Sequence, residues 1–136
     1  MLSVLLVDDN RAFLRVVTEF LAENGEGALR VVGSVFDGRE AVAQAATLQP
    51  DVVLVDLQMP LQSGLVLLPH LRTRLPDAIL VALTLLDPDT YQAATLAAGA
   101  DAFVSKMHLE HDLIPTIRRL ASRGPRRADA WQRPVG

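Results

Sequence analysis

Asp51-Val52-Val53-Leu54-Val55-Asp56-Leu57-Gln58-Met59-Pro60 is the stretch from which the fold follows. Its β-branched, apolar run carries no polar alternation, so it reads as a strand buried on both faces. Pro60 has no N–H to give a ladder, so the strand stops near Asp56. Asp56 then stands at the carboxyl end of a buried strand, where open α/β sheets keep their ligand crevice. An ionised carboxylate there needs a partner, because desolvating it alone is costly.

Working outward, the same pattern recurs on both sides. Leu2 to Val7 is a short apolar run ended by Asp8-Asp9-Asn10. Asn10 is placed to cap a helix bearing Phe13, Val16, Val17, Phe20 and Leu21 at helical spacing, and Asn24-Gly25 stops it. Leu29 to Val35 is a second strand. Asp37 with Glu40 gives an acidic capping box for a helix through Leu48, closed by Pro50. After the third strand comes a helix over Gly64 to Leu75, which Pro69 should kink or shorten. Ala78 to Thr84 is the fourth strand. Asp87-Pro88 suits an N-cap and first helical residue, with the helix running to Ala98 and Gly99 as its stop. Ala100 to Ser105 is the fifth strand. Leu109 to Ser122 is the last helix, with Leu113, Ile117 and Leu120 facing inward and Pro115 awkward in its second turn.

Five strands alternating with five helices imply an α/β fold: a parallel sheet of flavodoxin-like order 2-1-3-4-5 with helices on both faces. The domain spans 1-122. From Arg123 to Gly136 the pattern dissolves into a flexible linker or C-terminal tail with one tryptophan.

The totals agree with one globular domain. The chain has 136 residues, 50% hydrophobic and 21% charged, with a net charge of -3. That charge gives no sign of a nucleic-acid or membrane surface over the whole domain. With no cysteine there is neither a disulfide framework nor a thiolate metal site. The first apolar run lacks a basic lead and is short for a signal peptide or a membrane span, so a cytoplasmic protein is expected. Basic residues are arginines except for Lys106, the single lysine. A compact ammonium retained at one place suggests a place that needs it, against the plain alternative of chance. His70, His108 and His111 are scattered and read as surface or helix-end residues. Arg118, Arg119, Arg123, Arg126 and Arg127 cluster at the end of the last helix. Dipole compensation explains them better than a weak DNA contact.

In the 2-1-3-4-5 order, strands one and three are neighbours, and the topological switch lies between them. Asp8 and Asp9 end one and Asp56 ends the other. Three converging carboxylates repel unless a cation sits among them, and all-oxygen ligands favour Mg2+. Taken alone, Asp8 and Asp9 could simply compensate a helix dipole. Thr84 and Lys106 end strands four and five. Each alone is unremarkable, as a strand threonine and a surface charge. Together, a hydroxyl and an ammonium facing a carboxylate cluster make a phosphoryl site, with Asp56 as nucleophile forming an aspartyl-phosphate.

These residues carry a family resemblance. Val7-Asp8-Asp9-Asn10, Val55-Asp56-Leu57-Gln58-Met59-Pro60 with Gly64, Ala82-Leu83-Thr84 and Gly99-Ala100-Asp101-Ala102-Phe103-Val104-Ser105-Lys106 occur in order. Over about residues 2 to 122 the chain resembles the receiver domain of bacterial two-component response regulators. The variant with Met107 after the lysine is similar to regulators whose receiver precedes a LuxR-type helix-turn-helix. The resemblance implies that Asp56 accepts phosphate from the phosphohistidine of a sensor histidine kinase. It implies Mg2+ held by Asp9, Asp56 and the backbone carbonyl of Gln58, with Asp8 helping through water. Lys106 would contact the phosphoryl group, Thr84 would be the switch hydroxyl and Phe103 the switch aromatic. The readout surface would be helix four, strand five and helix five, where a homodimer could also form.

Departures from the family pattern carry expectations too. Leu85 and Leu86 stand where a small residue usually follows the threonine, so slow loss of phosphate is expected. Pro115 puts dimer geometry in doubt. Phosphotransferases and phosphatases with an aspartate nucleophile tend to carry a second carboxylate two residues on. Gln58 holds that position, which argues against turnover of outside substrates. The domain is therefore expected to catalyse only its own phosphorylation and dephosphorylation. A phosphate-independent binding module is the remaining alternative, although no acidic residue and no lysine of the pattern is lost. The tail is too short to fold alone. The chain then reads as a stand-alone receiver acting through protein–protein contacts, or as the N-terminal piece of a longer transcriptional regulator. The second is preferred, with DNA reached only through an effector domain.

Overall fold

The computed structural model describes residues 1–59, 63–85 and 88–123. Its sheet has the order β2-β1-β3-β4-β5, with every pairing parallel. The strands are β1 (Leu2–Val7), β2 (Leu29–Val35), β3 (Val52–Asp56), β4 (Ile79–Thr84) and β5 (Ala102–Ser105). The helices are α1 (Arg11–Asn24), α2 (Gly38–Leu48), α3 (Gly64–Arg74), α4 (Pro88–Ala97) and α5 (Leu109–Ala121). This is the flavodoxin-like arrangement that the alternation of apolar runs implies.

Strand side chains alternate between the two faces, and so build two cores. Val4, Leu6, Leu54, Val81 and Val104 pack with Leu14, Val17 and Leu21 of α1 and Leu113, Ile117 and Leu120 of α5. Leu5, Val7, Val53, Val55, Leu80 and Ala82 pack with Ala41 and Ala45 of α2 and Leu67, Leu68 and Leu71 of α3. All five residues of β3 and all six of β4 are buried, whereas the edge strand β2 is buried only at its ends, Leu29 and Val35.

Local chemistry sets the element ends. The Asn10 side chain accepts the Phe13 N–H at 3.0 Å and caps α1, and Asp37 accepts the Glu40 N–H at 2.8 Å and caps α2. Gly99 has φ 122°, a backbone conformation open to glycine, and lies in the turn two residues past the end of α4. The expected boundaries hold to within two residues. The structure differs in three details. In α1 it is Leu14 that turns inward, while Val16 is 59% exposed, because the buried stripe follows Leu14, Val17 and Leu21. A short 3-10 turn over Lys106–His108 joins β5 to α5, so Lys106 lies just beyond the strand. Pro69 and Pro115 both sit inside continuous helices. Both are exposed, so the carbonyl that each leaves without an N–H partner lies on the solvent side. The expected cap at Asp87, the bulk at Leu86 and the tail beyond Arg123 lie outside the described residues.

Candidate functional site

The site lies at the carboxyl ends of β1, β3 and β4 and just past β5. Alternation along each strand places Leu6 and Asp8, Leu54 and Asp56, and Val104 and Lys106 on the α1–α5 side of the sheet. Thr84 and Phe103 fall on the opposite side, with Thr84 paired to Ser105 and Ala82 to Phe103.

Asp8, Asp9 and Asp56 offer oxygens that lie within 4.8 Å of one another. Asp8 and Asp56 are each 2% exposed, while Asp9 faces solvent. The buried pair is compensated by Lys106, whose Nζ is 2.8 Å from Asp8 Oδ2 and 3.4 Å from Asp56 Oδ1. That ammonium is itself mostly withdrawn from water, with its side chain 13% exposed. The remaining hydrogen bonds hold the carboxylates still. The Asn10 N–H donates to Asp8 Oδ1 at 2.9 Å, and the Gln58 N–H donates to Asp56 Oδ1 at 3.1 Å.

Gly64, at the start of α3, explains how the loop after Asp56 closes. A Cβ there would collide with the Asp56 carbonyl oxygen and lie 2.9 Å from Leu57 Cα. The Ser63 hydroxyl caps α3 by accepting the Leu65 N–H at 3.1 Å. Thr84 is fully buried and its hydroxyl donates to Gln58 Oε1 at 3.4 Å. Phe103 is half-buried against the α2–α3 core, and Leu85, next to Thr84, is 63% exposed.

The structure therefore brings Asp8, Asp9, Asp56 and Lys106 together, with Thr84 and the Gln58 side chain in contact beside them. Two features of the site have no signal in the sequence. The Phe13 ring covers the Lys106 ammonium at 4.2 Å from its centroid, and Arg11 stacks on Phe36 at 4.1 Å at the rim. Helical spacing marks Phe13 as a core residue but says nothing about which cation it meets.

Chemically, this is an all-oxygen cluster suited to a hard cation, beside a buried carboxylate and an ammonium at a topological switch point. That combination defines the class of flavodoxin-like domains with an acidic site at their strand ends. The chain belongs to the response regulator receiver domain family, whose model matches residues 4–118. A protein-glutamate methylesterase/protein-glutamine glutaminase from Idiomarina loihiensis is 38% identical over 109 residues, 76% of this chain and 27% of that protein. The response regulator GacA of Pseudomonas viridiflava is 35% identical over 118 residues, 87% of this chain and 54% of that protein. The chain thus spans about a quarter of the first relative and about half of the second.

Among solved structures, the response regulator domain of Thermotoga maritima CheB aligns with TM-score 0.81 at 25% identity, covering 92% of this chain and 99% of that one. A LuxR-family regulator from Aurantimonas sp. SI85-9A1 aligns with TM-score 0.83 at 24% identity, covering 96% and 95%, a likeness of fold. Receiver domains of this family bind Mg2+ through a cluster of acidic residues and interact with histidine kinases, and in this chain Asp8, Asp9 and Asp56 form an acidic cluster. Among the described residues no helix is long and apolar enough to cross a membrane.

Proposed function

We propose that this receiver takes a phosphoryl group from the phosphohistidine of a sensor histidine kinase onto Asp56. A carboxylate oxygen attacks phosphorus as the phosphorus–nitrogen bond breaks, and its electron pair stays with the imidazole. The observation that carries this reading is the convergence of Asp8, Asp9 and Asp56 within 4.8 Å, with Lys106 3.4 Å from Asp56 Oδ1.

Asp8, Asp9, Asp56 and the backbone carbonyl of Gln58 would hold Mg2+, and the donor set fits a hard, partly hydrated ion because Asp9 opens to solvent. When bound, the ion neutralises charge on the phosphoryl oxygens. Lys106 contributes a second positive charge at the acceptor, and Thr84 donates its hydroxyl to the transferred group. Leaving Gln58 for the phosphoryl group moves Thr84, and Phe103, on the same side of the sheet, turns inward with it. The coupling is a population shift toward a state already sampled. Its readout is the α4–β5–α5 surface, where a homodimer would form.

The domain acts in the cytoplasm as residues 1–122, with 123–136 as a linker or C-terminal tail, and catalyses only its own phosphorylation and dephosphorylation. Its output is a DNA-binding domain in a longer regulator, a reading that rests on the resemblance of the Met107 variant to regulators whose receiver precedes a LuxR-type helix-turn-helix. A second reading, an enzymatic output, is favoured by the methylesterase relatives.

Intact mass after incubation with acetyl phosphate tests the site. The expected result is one phosphoryl adduct that needs Mg2+ and vanishes in Asp56→Asn. No adduct, where a known receiver is labelled, would leave binding without phosphate as the function. The exposed Leu85 adds apolar bulk beside Thr84. Purified adduct should therefore persist for minutes or longer, and decay within seconds would refute that.

A further inference from the structure

We propose that Phe13 is a positioning residue for phosphoryl transfer, its ring face fixing the Lys106 ammonium between Asp8 and Asp56. The inference rests on the proposed function. Lysine carries a point charge on a flexible stem, so its carboxylate partners alone leave several stem conformations open. Here the ammonium is bounded on a third side by the Phe13 ring, 4.2 Å from the centroid.

The ring is itself held. Phe13 lies in the first turn of α1, its N–H donated to Asn10 Oδ1 at 3.0 Å. It packs against the core shared by α1 and α5. Asn10 in turn donates its N–H to Asp8 Oδ1, and Lys106 donates to Asp8 Oδ2. Asp8, Asn10, Phe13 and Lys106 thus form a closed circuit of contacts around one carboxylate. If Asp8 turns its oxygens to a cation, Lys106 loses its shortest contact, but the ring does not depend on that contact and stays. A cation withdrawn from water is the setting in which an aromatic face attracts most strongly.

The test uses the full chain and acetyl phosphate with Mg2+. Phe13→Leu, which keeps apolar bulk but removes the ring, should slow labelling about tenfold, the factor that ~1.4 kcal/mol of lost attraction corresponds to. Phe13→Tyr should label at the wild-type rate. A second readout separates positioning from folding. Lys106 is the single lysine, so ε-13C-lysine labelling gives one lysine signal. Its attached protons should be shifted upfield by the ring in wild type and Phe13→Tyr, and lie at the free-lysine position in Phe13→Leu. Wild-type labelling with an unchanged rate and lysine signal in Phe13→Leu would overturn this inference and leave the phosphoacceptor reading intact. Failure of wild type to label would remove both.

Discussion

At the scale of single residues, the site trades stability for function. Asp8 and Asp56 are buried and share one ammonium, whereas Asp9 is exposed and adds a third negative charge within 4.8 Å. Two unit charges at that separation repel by ~1 kcal/mol even at the dielectric of water. The N-terminus of α1 offsets part of this through its dipole. Asp9→Asn should therefore raise stability without Mg2+ by about 0.5–1 kcal/mol, read as a higher urea midpoint at low salt. The same variant should gain less than wild type when Mg2+ is added, because the stabilisation from an ion that binds only the folded state grows with the logarithm of its affinity. A lower midpoint in metal-free Asp9→Asn would mean that the carboxylate makes a net stabilising contact.

At the scale of elements, the prolines are the exceptions to local preference. α3 and α5 each run through a proline that removes one helical hydrogen bond. Both helices survive because their inward faces supply the stability. Leu67, Leu68 and Leu71 bury one, and Leu113, Ile117 and Leu120 the other. Pro115 is exposed, so alanine forfeits little buried surface there. Pro115→Ala should stabilise by about 2 kcal/mol, the helix-interior penalty less the entropy that proline removes from the unfolded chain. Chemical denaturation measures it, and a loss of stability would show that the proline shapes α5 in a way the fold needs.

At the scale of the whole molecule, one side chain ties the ends of three elements. Arg72 donates to the carbonyls of Ala78 at 2.7 Å and Gly99 at 2.8 Å, and to Asp101 Oδ2 at 2.8 Å. It also reaches the Leu75 and Pro76 carbonyls at 3.3 Å. Asp101 Oδ2 in turn accepts the Leu80 N–H at 2.9 Å. The end of α3, the start of β4 and the loop into β5 are thereby joined through one planar group, which a lysine's single ammonium cannot replace. Arg72→Ala should cost about 3 kcal/mol, through lost charge-assisted bonds and carbonyls left without partners. Arg72→Lys should recover little of it. Faster amide exchange at Leu80 and Asp101 would locate the loss, and a change below ~0.5 kcal/mol would show the clamp to be redundant.

What the sequence determined by itself was everything local. An apolar run without alternation marked β3 as central, Asn10 and Asp37 marked helix starts, and Gly99 marked a stop. Once the strands were ordered, their terminal residues Asp8, Asp9, Asp56, Thr84 and Lys106 had to gather at one end of the sheet. Only the tertiary structure decided who touches whom there. The Lys106–Asp8 bond joins residues 98 apart, and Phe13 covers Lys106 only because α1 and α5 pack on the same side of the sheet. Gly64 is required by the backbone of Asp56 passing against it, and most acceptors of Arg72 are carbonyls, which every residue carries. Periodicity and capping are written in neighbouring side chains. Contacts to distant backbone, and the choice of partner for a charge, depend on strand register and helix placement, which no local pattern records.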